Sequence, residues 1–383
     1  MEQRRPAGGT ALALILVALV AFGGTPAQAK HKKKEEAESA AKAPLVWPLP
    51  PDPPRIRYVG ALHGSQDFKR KQSRFKRFLL GPDRDRGISL VKPYGVTTDS
   101  SGRVYVTDTG LGAVVVFDRT ARKVTLIGRE GRVRLVTPIG VAVGPDGRLY
   151  VSDVDLDRVV VYGPDREILM VLGSREKLAN PAGIALDAAR GRLYVADSHR
   201  HALFIYSTAD GTLLETWGRR GTGDGEFNFP TNVALDRQGR VYVVDTGNFR
   251  VQVFAPDGSF VRKFGRAGDA LGNFHRPKGI AVDSEDHVYV VDAAFNNFQI
   301  FDQQARLLLF VGQLGRQAGE FWLPAGMHID GDDRIYVADQ VNRRVQIFQY
   351  LEQGPAGAPA GPGGGAMGAP AASHRASPGP AGR

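Results

Sequence analysis

A proline-led unit occurs six times in this chain, at a spacing that few folds accommodate. The units begin at Pro93, Pro138, Pro181, Pro230, Pro277 and Pro324, so successive starts are 43 to 49 residues apart. Each unit continues through a turn rich in aspartate and glycine, a run such as RVYVVD, a short loop and an apolar run that ends in Phe or Tyr. A repeat of this length with room for four short strands is typical of a propeller blade. We therefore predict an all-β fold, a six-bladed β-propeller of four-stranded antiparallel blades.

Five of the six units carry a glycine near the start of the first strand. These glycines stand at positions 95, 140, 183, 279 and 326, and Asn232 takes the place in the fourth unit. Six inner strands crowd around one axis, where a side chain would obstruct the close approach of backbones. We expect a ring of glycines around the axis that Asn232 interrupts.

The sixth unit lacks a fourth strand of its own. It ends in IFQYLEQGPAG, whereas RIRYVGALHG, which begins at Arg55, is similar to fourth strands such as KVTLIG at Lys123. Pairing the two ends of the chain would complete the last blade and remove exposed sheet edges. We therefore predict that an N-terminal strand closes the propeller.

The segment SQDFKRKQSRFKRFLLG follows this strand and indicates one short, basic, amphipathic helix. Ser65 can cap it, Asp67 suits its positive end, and an apolar stripe comprises Phe68, Phe75, Phe78 and Leu79. Packing of this stripe against the blades is favoured over insertion into a membrane surface. Any membrane contact is therefore expected to be peripheral.

The regions outside the repeats indicate export and linkers. Arg4 and Arg5 precede the apolar run ALALILVALVAF, and Ala27 and Ala29 suit a cleavage site, so we predict a signal peptide and a periplasmic or extracellular destination. The run is shorter than the roughly 20 residues that span a bilayer, which favours cleavage over an anchor. The expected divisions are a signal peptide at 1–29, a charged and proline-rich linker at 30–54, the closure strand and helix at 55–92, the propeller at 93–352, and a disordered Gly/Pro/Ala tail at 353–383.

The repeats resemble those of the NHL repeat family. The resemblance rests on VYVVDTGNFRVQVF, with weaker copies in VYVTDTGLGAVVVF and IYVADQVNRRVQIF, and it covers about Pro93 to Phe348. It implies the propeller fold but not one function, because the family includes RNA-binding and protein-binding propellers, sensor domains, a metal-dependent lyase and exported bacterial proteins. The sequence has no set of histidines at matching positions on several blades, which argues against the chemistry of that lyase.

Most kinds of catalytic or cofactor site are excluded by the sequence. The chain has no cysteine, and it contains no GxSxG, HExxH, Walker, dinucleotide or haem motif, so we predict no cofactor. His328 is the best candidate for a metal site, because it occupies a position that is Ala142, Ala185, Ala234 or Ala281 in other blades. A hydrogen-bonded core histidine beside Thr97 across the closure seam is the favoured alternative. His199 and His201, two residues apart on a loop, form a weaker ligand pair.

An aspartate ends the second strand of every blade, and we assign it to turn capping rather than chemistry. These residues are Asp108, Asp153, Asp197, Asp245, Asp292 and Asp339, and an active site has no need of six copies. Arg158, Arg250 and Arg344 each stand five residues after such an aspartate. They are expected to pair with it or with a neighbouring blade, or else to contact a ligand.

Basic residues gather in the connections between blades and in the loops after the second strands, which propeller topology places on one face. The opposite face carries acidic turns such as DSEDH and DGDDR, and a surface polarised in this way attracts anionic partners. The export signal argues against nucleic acid as that partner. We predict an exported, non-catalytic binding or scaffold module for a protein or other anionic polymer of the cell envelope, with a metal-dependent hydrolase or lyase as the alternative. The candidate partner-binding residues are Arg158, His199, Arg200, Arg250, Lys278, Arg343 and Arg344.

Overall fold

Six antiparallel sheets surround a central channel in the computed structural model, which describes residues 44–68, 87–173 and 177–352. Within these residues lie 25 strands and two short 3-10 helices. The innermost strand of each sheet contacts the innermost strands of the next and the previous sheet, and the sixth contacts the first. The six-bladed β-propeller is thereby confirmed.

The blades follow the chain in order. Blade 1 comprises β3 (Pro93–Thr98), β4 (Val104–Asp108), β5 (Ala113–Asp118) and β6 (Lys123–Ile127). Blade 2 comprises β7 (Pro138–Val143), β8 (Leu149–Asp153), β9 (Arg158–Tyr162) and β10 (Ile168–Leu172). Blade 3 comprises β11 (Pro181–Asp187), β12 (Arg192–Asp197), β13 (Ala202–Ser207) and β14 (Leu213–Trp217). Blade 4 comprises β15 (Pro230–Leu235), β16 (Val241–Asp245), β17 (Arg250–Phe254) and β18 (Phe260–Phe264), with a 3-10 helix at Thr246–Asn248. Blade 5 comprises β19 (Pro277–Val282), β20 (Val288–Asp292), β21 (Asn297–Phe301) and β22 (Leu307–Val311).

Blade 6 is completed from the N-terminal side of the chain. It comprises β23 (Pro324–Ile329), β24 (Arg334–Asp339) and β25 (Arg344–Tyr350), followed by β2 (Ile56–Leu62) and then β1 (Val46–Trp47) at the edge. Strand β2 pairs antiparallel with β25, with Ile56 opposite Tyr350 and Leu62 opposite Val345. The strand expected at Arg55 therefore supplies the fourth strand of the last blade.

Middle strands are buried on both sides because each blade is packed between two others. All five residues of β16 and all five of β17 are buried. Tyr242 and Val244 of blade 4 share one apolar cluster with Ile280 and Val288 of blade 5, so the core lies between the blades. Successive side chains of a strand therefore face protein on both sides, which explains why apolar residues occupy both faces of these strands.

The glycine ring lies where neighbouring inner strands touch. A Cβ on Gly95 would collide with the carbonyl oxygen of Ile139 in blade 2, and one on Gly326 would lie against the carbonyl oxygen of Tyr94 in blade 1. Asn232 occupies the equivalent position in blade 4 and borders the channel. The glycines therefore permit the close approach of successive blades, as the sequence indicates.

Only the start of the expected amphipathic helix falls within the described residues. A single 3-10 turn covers Ser65–Phe68, and the ring of Phe68 packs near that of Phe117, 6.5 Å between centroids. The Ser65 Oγ accepts the Ile88 N–H, which ties the start of this turn to the segment ahead of blade 1. The stripe positions beyond Phe68 lie outside the described residues, as do the predicted signal peptide at 1–29 and the predicted tail beyond residue 352. In the part of the chain that the structure describes, we find no helix with the length and hydropathy of a membrane span.

Candidate functional site

The propeller presents two faces of different construction. The top face consists of the connections between blades and the loops after the second strands. The bottom face consists of the hairpins that join strands 1 and 2, and 3 and 4, of each blade. The two faces surround opposite ends of the central channel, and they differ in the charge that they expose.

The aspartate at the end of each second strand holds the top-face connections in place. Asp108 is fully buried, and its carboxylate accepts four backbone N–H groups. Two belong to Val91 and Lys92, ahead of the blade, and two to Gly110 and Leu111, in the loop after the second strand. The equivalent residues make corresponding bonds, at Asp153, Asp197, Asp245, Asp292 and Asp339. The structural role predicted for these aspartates is confirmed.

Arg250 and Arg344 act inside the protein. The Arg250 Nε donates to Asp245 at 2.8 Å, and its two terminal nitrogens donate to the carbonyl oxygens of Thr222, Gly223 and Glu226. Arg344 repeats this arrangement with Asp339 and with two carbonyls of its own connection. Both side chains are buried, so their guanidinium groups stabilise the connections and offer no surface to a partner.

A buried glutamine completes each of these connections, and sequence reasoning missed it. The Gln252 Nε2 donates to the Glu226 carbonyl at 2.7 Å, while its Oε1 accepts the Gly225 N–H. Gln299 and Gln346 make the same pair of contacts in the next two blades. A polar residue inside an otherwise apolar strand, as in RVQVF, was the available signal, because a buried amide needs partners.

Acidic residues of the bottom face are largely neutralised within their own hairpins. Asp99 lies 2.6 Å from the Arg103 Nε and also accepts the Tyr105 hydroxyl, and Asp236 has the same partners in Arg240 and Tyr242. Burial raises the pKa of Asp99, but hydrogen bonds from Ser101, Arg103 and Tyr105 outweigh this and leave the pKa lowered. The DSEDH turn pairs Asp283 with His287 at 2.9 Å. The hydrogen bond to Asp283 raises the pKa of His287.

The top face, in contrast, carries exposed cations. The side chains of Arg158, Arg200 and Arg343 are exposed at the starts of third strands or in the loops before them. Lys278, in the inner strand of blade 5, is half-buried, and its Nζ lies 3.3 Å from the Tyr94 hydroxyl and 4.9 Å from the centre of that ring. Further exposed cations lie in the connections between blades, at Arg129, Arg132, Arg134, Lys177, Arg220 and Arg276.

His199 and His201 form an aromatic cluster with Phe229. The His201 ring stacks on Phe229 with 4.6 Å between centroids, and its Nδ1 accepts the Phe229 N–H. His199 is exposed, and its ring lies 6.3 Å from that of Phe229. Burial lowers the pKa of His201, and the charge of Arg220 lowers it further.

His328 lies on the wall of the central channel, a cavity of about 270 Å³. Its Nε2 is 2.9 Å from the Thr98 Oγ1 of blade 1, so the partner across the seam is Thr98 and not Thr97. Thr97 and Thr98 are neighbours in one strand, so their side chains point to opposite faces, and it is the side chain of Thr98 that meets His328. Burial lowers the pKa of His328 to about 4. Among the described residues, no three acidic or histidine side chains are grouped so that they could hold a metal ion.

Comparison with known proteins places the chain in a family. The model of the SMP-30/gluconolactonase/LRE-like region matches residues 71–267, about half of the chain, and the NHL repeat model matches residues 274–301. NHL repeat-containing protein 3 of Mus musculus is 39% identical over 77 residues, which are 20% of this chain and 22% of that protein. Protein lin-41 of Caenorhabditis elegans is 48% identical over 46 residues, 12% of this chain and 4% of that protein. The chain thus spans about a fifth or less of these relatives.

Solved structures agree on the fold. Virginiamycin B lyase of Staphylococcus aureus, in a catalytically inactive form with quinupristin, superimposes with a TM-score of 0.52 at 13% identity, covering 68% of this chain and 95% of that one. An auxiliary nutrient binding protein of Bacteroides thetaiotaomicron gives a TM-score of 0.54 at 15% identity, covering 69% and 70%. Identities this low support the architecture alone. The family match and the six NHL-type blades together establish that this chain belongs to the SMP-30/gluconolactonase/LRE-like family of β-propellers.

Proposed function

We propose that the protein is exported and acts as a non-catalytic binding or scaffold propeller, which holds a protein or other anionic partner on its top face. One observation carries this proposal: carboxylates of the bottom face are paired within their own hairpins, whereas many cations of the top face are exposed. Carboxylates of the bottom hairpins bind arginine, histidine and tyrosine side chains of the same hairpins, as at Asp99, Asp236 and Asp283. On the top face, Arg219 is paired with Glu226, but the side chains of Arg158, Arg276 and Arg343 are exposed. Exposed charge of one sign steers an oppositely charged partner towards the face that carries it.

The candidate residues for this contact become a smaller set. Arg250 and Arg344 are committed to buried carboxylates and carbonyls, so the proposal rests on Arg158, His199, Arg200, Lys278 and Arg343 together with the connection between blades 1 and 2. The aromatic cluster at Phe229, which is 43% exposed, adds an apolar contact on the same face. Interfaces commonly combine aromatic and arginine side chains in this way.

Site-specific crosslinking in the native cell envelope tests the proposal. A photo-crosslinking residue would replace Arg343 on the top face or, as a matched control, Arg306 on the bottom face, whose side chain is 75% exposed. We expect a discrete adduct from position 343 alone, with a yield that falls as salt screens the charges. The adduct should weaken when Arg129, Arg132 and Arg134 are changed to glutamate. Equal adducts from both positions would refute a dedicated top face.

Export is tested separately, because the proposal requires the chain to leave the cytoplasm. The arginine pair and apolar run at the N-terminus motivate it. The intact mass of protein recovered from the envelope should correspond to a chain that starts at Lys30. A species that keeps residues 1–29 would instead support an anchor.

A further inference from the structure

A pocket of about 420 Å³ opens on the top face beside the channel mouth, between blades 5 and 1. Cationic and polar side chains dominate its wall, namely Lys92, Arg276, Lys278, Tyr94, Thr109 and Gln340. Its size falls within the range of small-molecule sites, which is about 300 to 1,000 Å³. The described residues that line it include no carboxylate.

The repeat does not impose these cations. The residue before the unit proline is Lys92 in blade 1 and Arg276 in blade 5, but it is Thr137, Asn180, Phe229 or Leu323 in the other blades. The residue after that proline is a lysine only at Lys278. Blade 6, which lies between blades 5 and 1, has Leu323 and Ala325 at the two positions and so contributes no charge. Lys92 of blade 1 and Arg276 and Lys278 of blade 5 therefore bring three positive charges to the wall of one pocket.

Hydrogen bonds hold the backbone at two of the three cations. Buried Asp108 accepts the Lys92 N–H at 3.0 Å, and buried Asp292 accepts the Arg276 N–H at 3.0 Å. The Lys278 ammonium rests on the Tyr94 ring and reaches its hydroxyl, a contact that leaves donors free because an ammonium has three N–H groups. The nearby carboxylate of Asp155 is outside the lining and accepts the Thr137 hydroxyl.

We propose that this pocket binds a small dianionic oxyanion, either a phosphate group or a pair of carboxylates. Both offer oxygen acceptors to a guanidinium fork and to ammonium groups, and charge-assisted bonds of this kind are short and strong. The inference deepens the proposed function and rests on it, since it names the chemical group that the top face recognises. The Tyr94 hydroxyl and the Gln340 amide add neutral donors to the wall around the anion.

Calorimetric titration of the purified mature protein tests the pocket without any macromolecular partner. Inorganic phosphate and succinate are titrated separately at pH 7.5 and low ionic strength, and one of them is expected to bind with a stoichiometry of one. Arg276→Gln and Lys278→Gln should each weaken binding at least about tenfold, because each removes a charged donor to the anion. Arg306→Gln is the matched control, since Arg306 is an exposed cation of the bottom face outside the lining. Thermal melts confirm that the variants are folded.

The two anions distinguish the sources of the charge: binding of phosphate alone assigns a phosphate group, and binding of succinate alone assigns paired carboxylates. Absence of binding by both anions, or an equal loss in Arg306→Gln, would overturn the pocket. Crosslinking from position 343 could still succeed in that case, so the broader proposal would stand. If the pocket binds an anion but no envelope partner is captured, the scaffold role fails and the pocket remains.

Discussion

The His328 Nε2 lies 2.9 Å from the Thr98 Oγ1, and this hydrogen bond joins the last blade of the propeller to the first. Alanine occupies the position of His328 in four other blades, so the imidazole is a departure from the repeat at the seam where the ring closes. The inner strands enclose the ring of His328, although it borders the channel. The seam therefore contains a titratable group that the other blade junctions lack at this position.

Stability should depend on pH through this histidine. Burial lowers the pKa of His328 to about 4, while an unfolded histidine titrates near 6.5. Between these values the unfolded chain binds a proton that the folded chain does not, so stability falls as the pH drops through this window, by about 3 kcal/mol at most. Equilibrium unfolding at pH 7.5 and 4.5 should show that His328→Ala loses less stability than the wild type. Exposed His275→Ala is the control, and an unchanged pH dependence in His328→Ala would contradict the assignment.

Closure should depend on the inward face of β2. Ile56 is fully buried in the last blade, whereas Val59, three residues on, is 47% exposed. Ile56→Ala should cost about 2 to 5 kcal/mol in chemical denaturation, because a buried aliphatic side chain leaves a cavity. Val59→Ala should stay within about 0.5 kcal/mol of the wild type.

Truncation tests the same strand by removing it. Removal of the mature N-terminus through Gly60 should lower the Tm far more than removal of everything after Gln353, because it takes away the rings of Trp47 and Tyr58 that pack on Phe348. The reverse order of Tm values would mean that β2 is dispensable.

The buried arginines should be essential to stability. Arg250→Ala leaves Asp245 as a buried charge without its partner and frees three carbonyls, so we expect a loss of about 3 to 5 kcal/mol. Arg306→Ala removes an arginine from Asp302 on the surface and should cost no more than about 1 kcal/mol. Urea unfolding of both variants measures the difference, and equal losses would argue against a structural role for Arg250.

The glycine ring gives a fourth test. Gly95→Ala would drive a methyl group into the Ile139 carbonyl and push blades 1 and 2 apart, at a cost of about 1 to 3 kcal/mol. Gly331→Ala is the matched control, because nothing lies within 4 Å of a Cβ at that position. Thermal unfolding should separate the two variants, and a neutral Gly95→Ala would show that the inner strands tolerate a wider spacing.

Metal content decides between the proposed function and a metal enzyme. We expect elemental analysis of the mature protein, purified without chelator, to find no stoichiometric transition metal. About one equivalent of zinc that disappears in His328→Ala would reverse the ranking, since a histidine on a channel wall can serve as a zinc ligand.

The fold could be predicted from the sequence because the repeat is regular. The candidate site was harder to predict because its residues depart from the repeat. Prolines, glycines and aspartates recur at fixed positions, so the blades, the inner ring and the closure strand could be predicted. The side-chain partners of Arg250 could not, because they are carbonyls of a connection more than 20 residues away. The proximity of Lys92 to Lys278 could not be predicted for a similar reason, because only closure of the ring brings blades 5 and 6 close to blade 1.

Closure by β2 also constrains the order of events when the chain is made. Residues 56–62 leave the ribosome long before their partner β25 at residues 344–350. At about 5 to 20 residues per second, synthesis of the intervening segment takes on the order of half a minute. During this time β2 has no β25 to pair with, so its backbone donors and acceptors are available to other chains. A newly made molecule therefore remains an open arc until its last blade is complete, and only then becomes a ring.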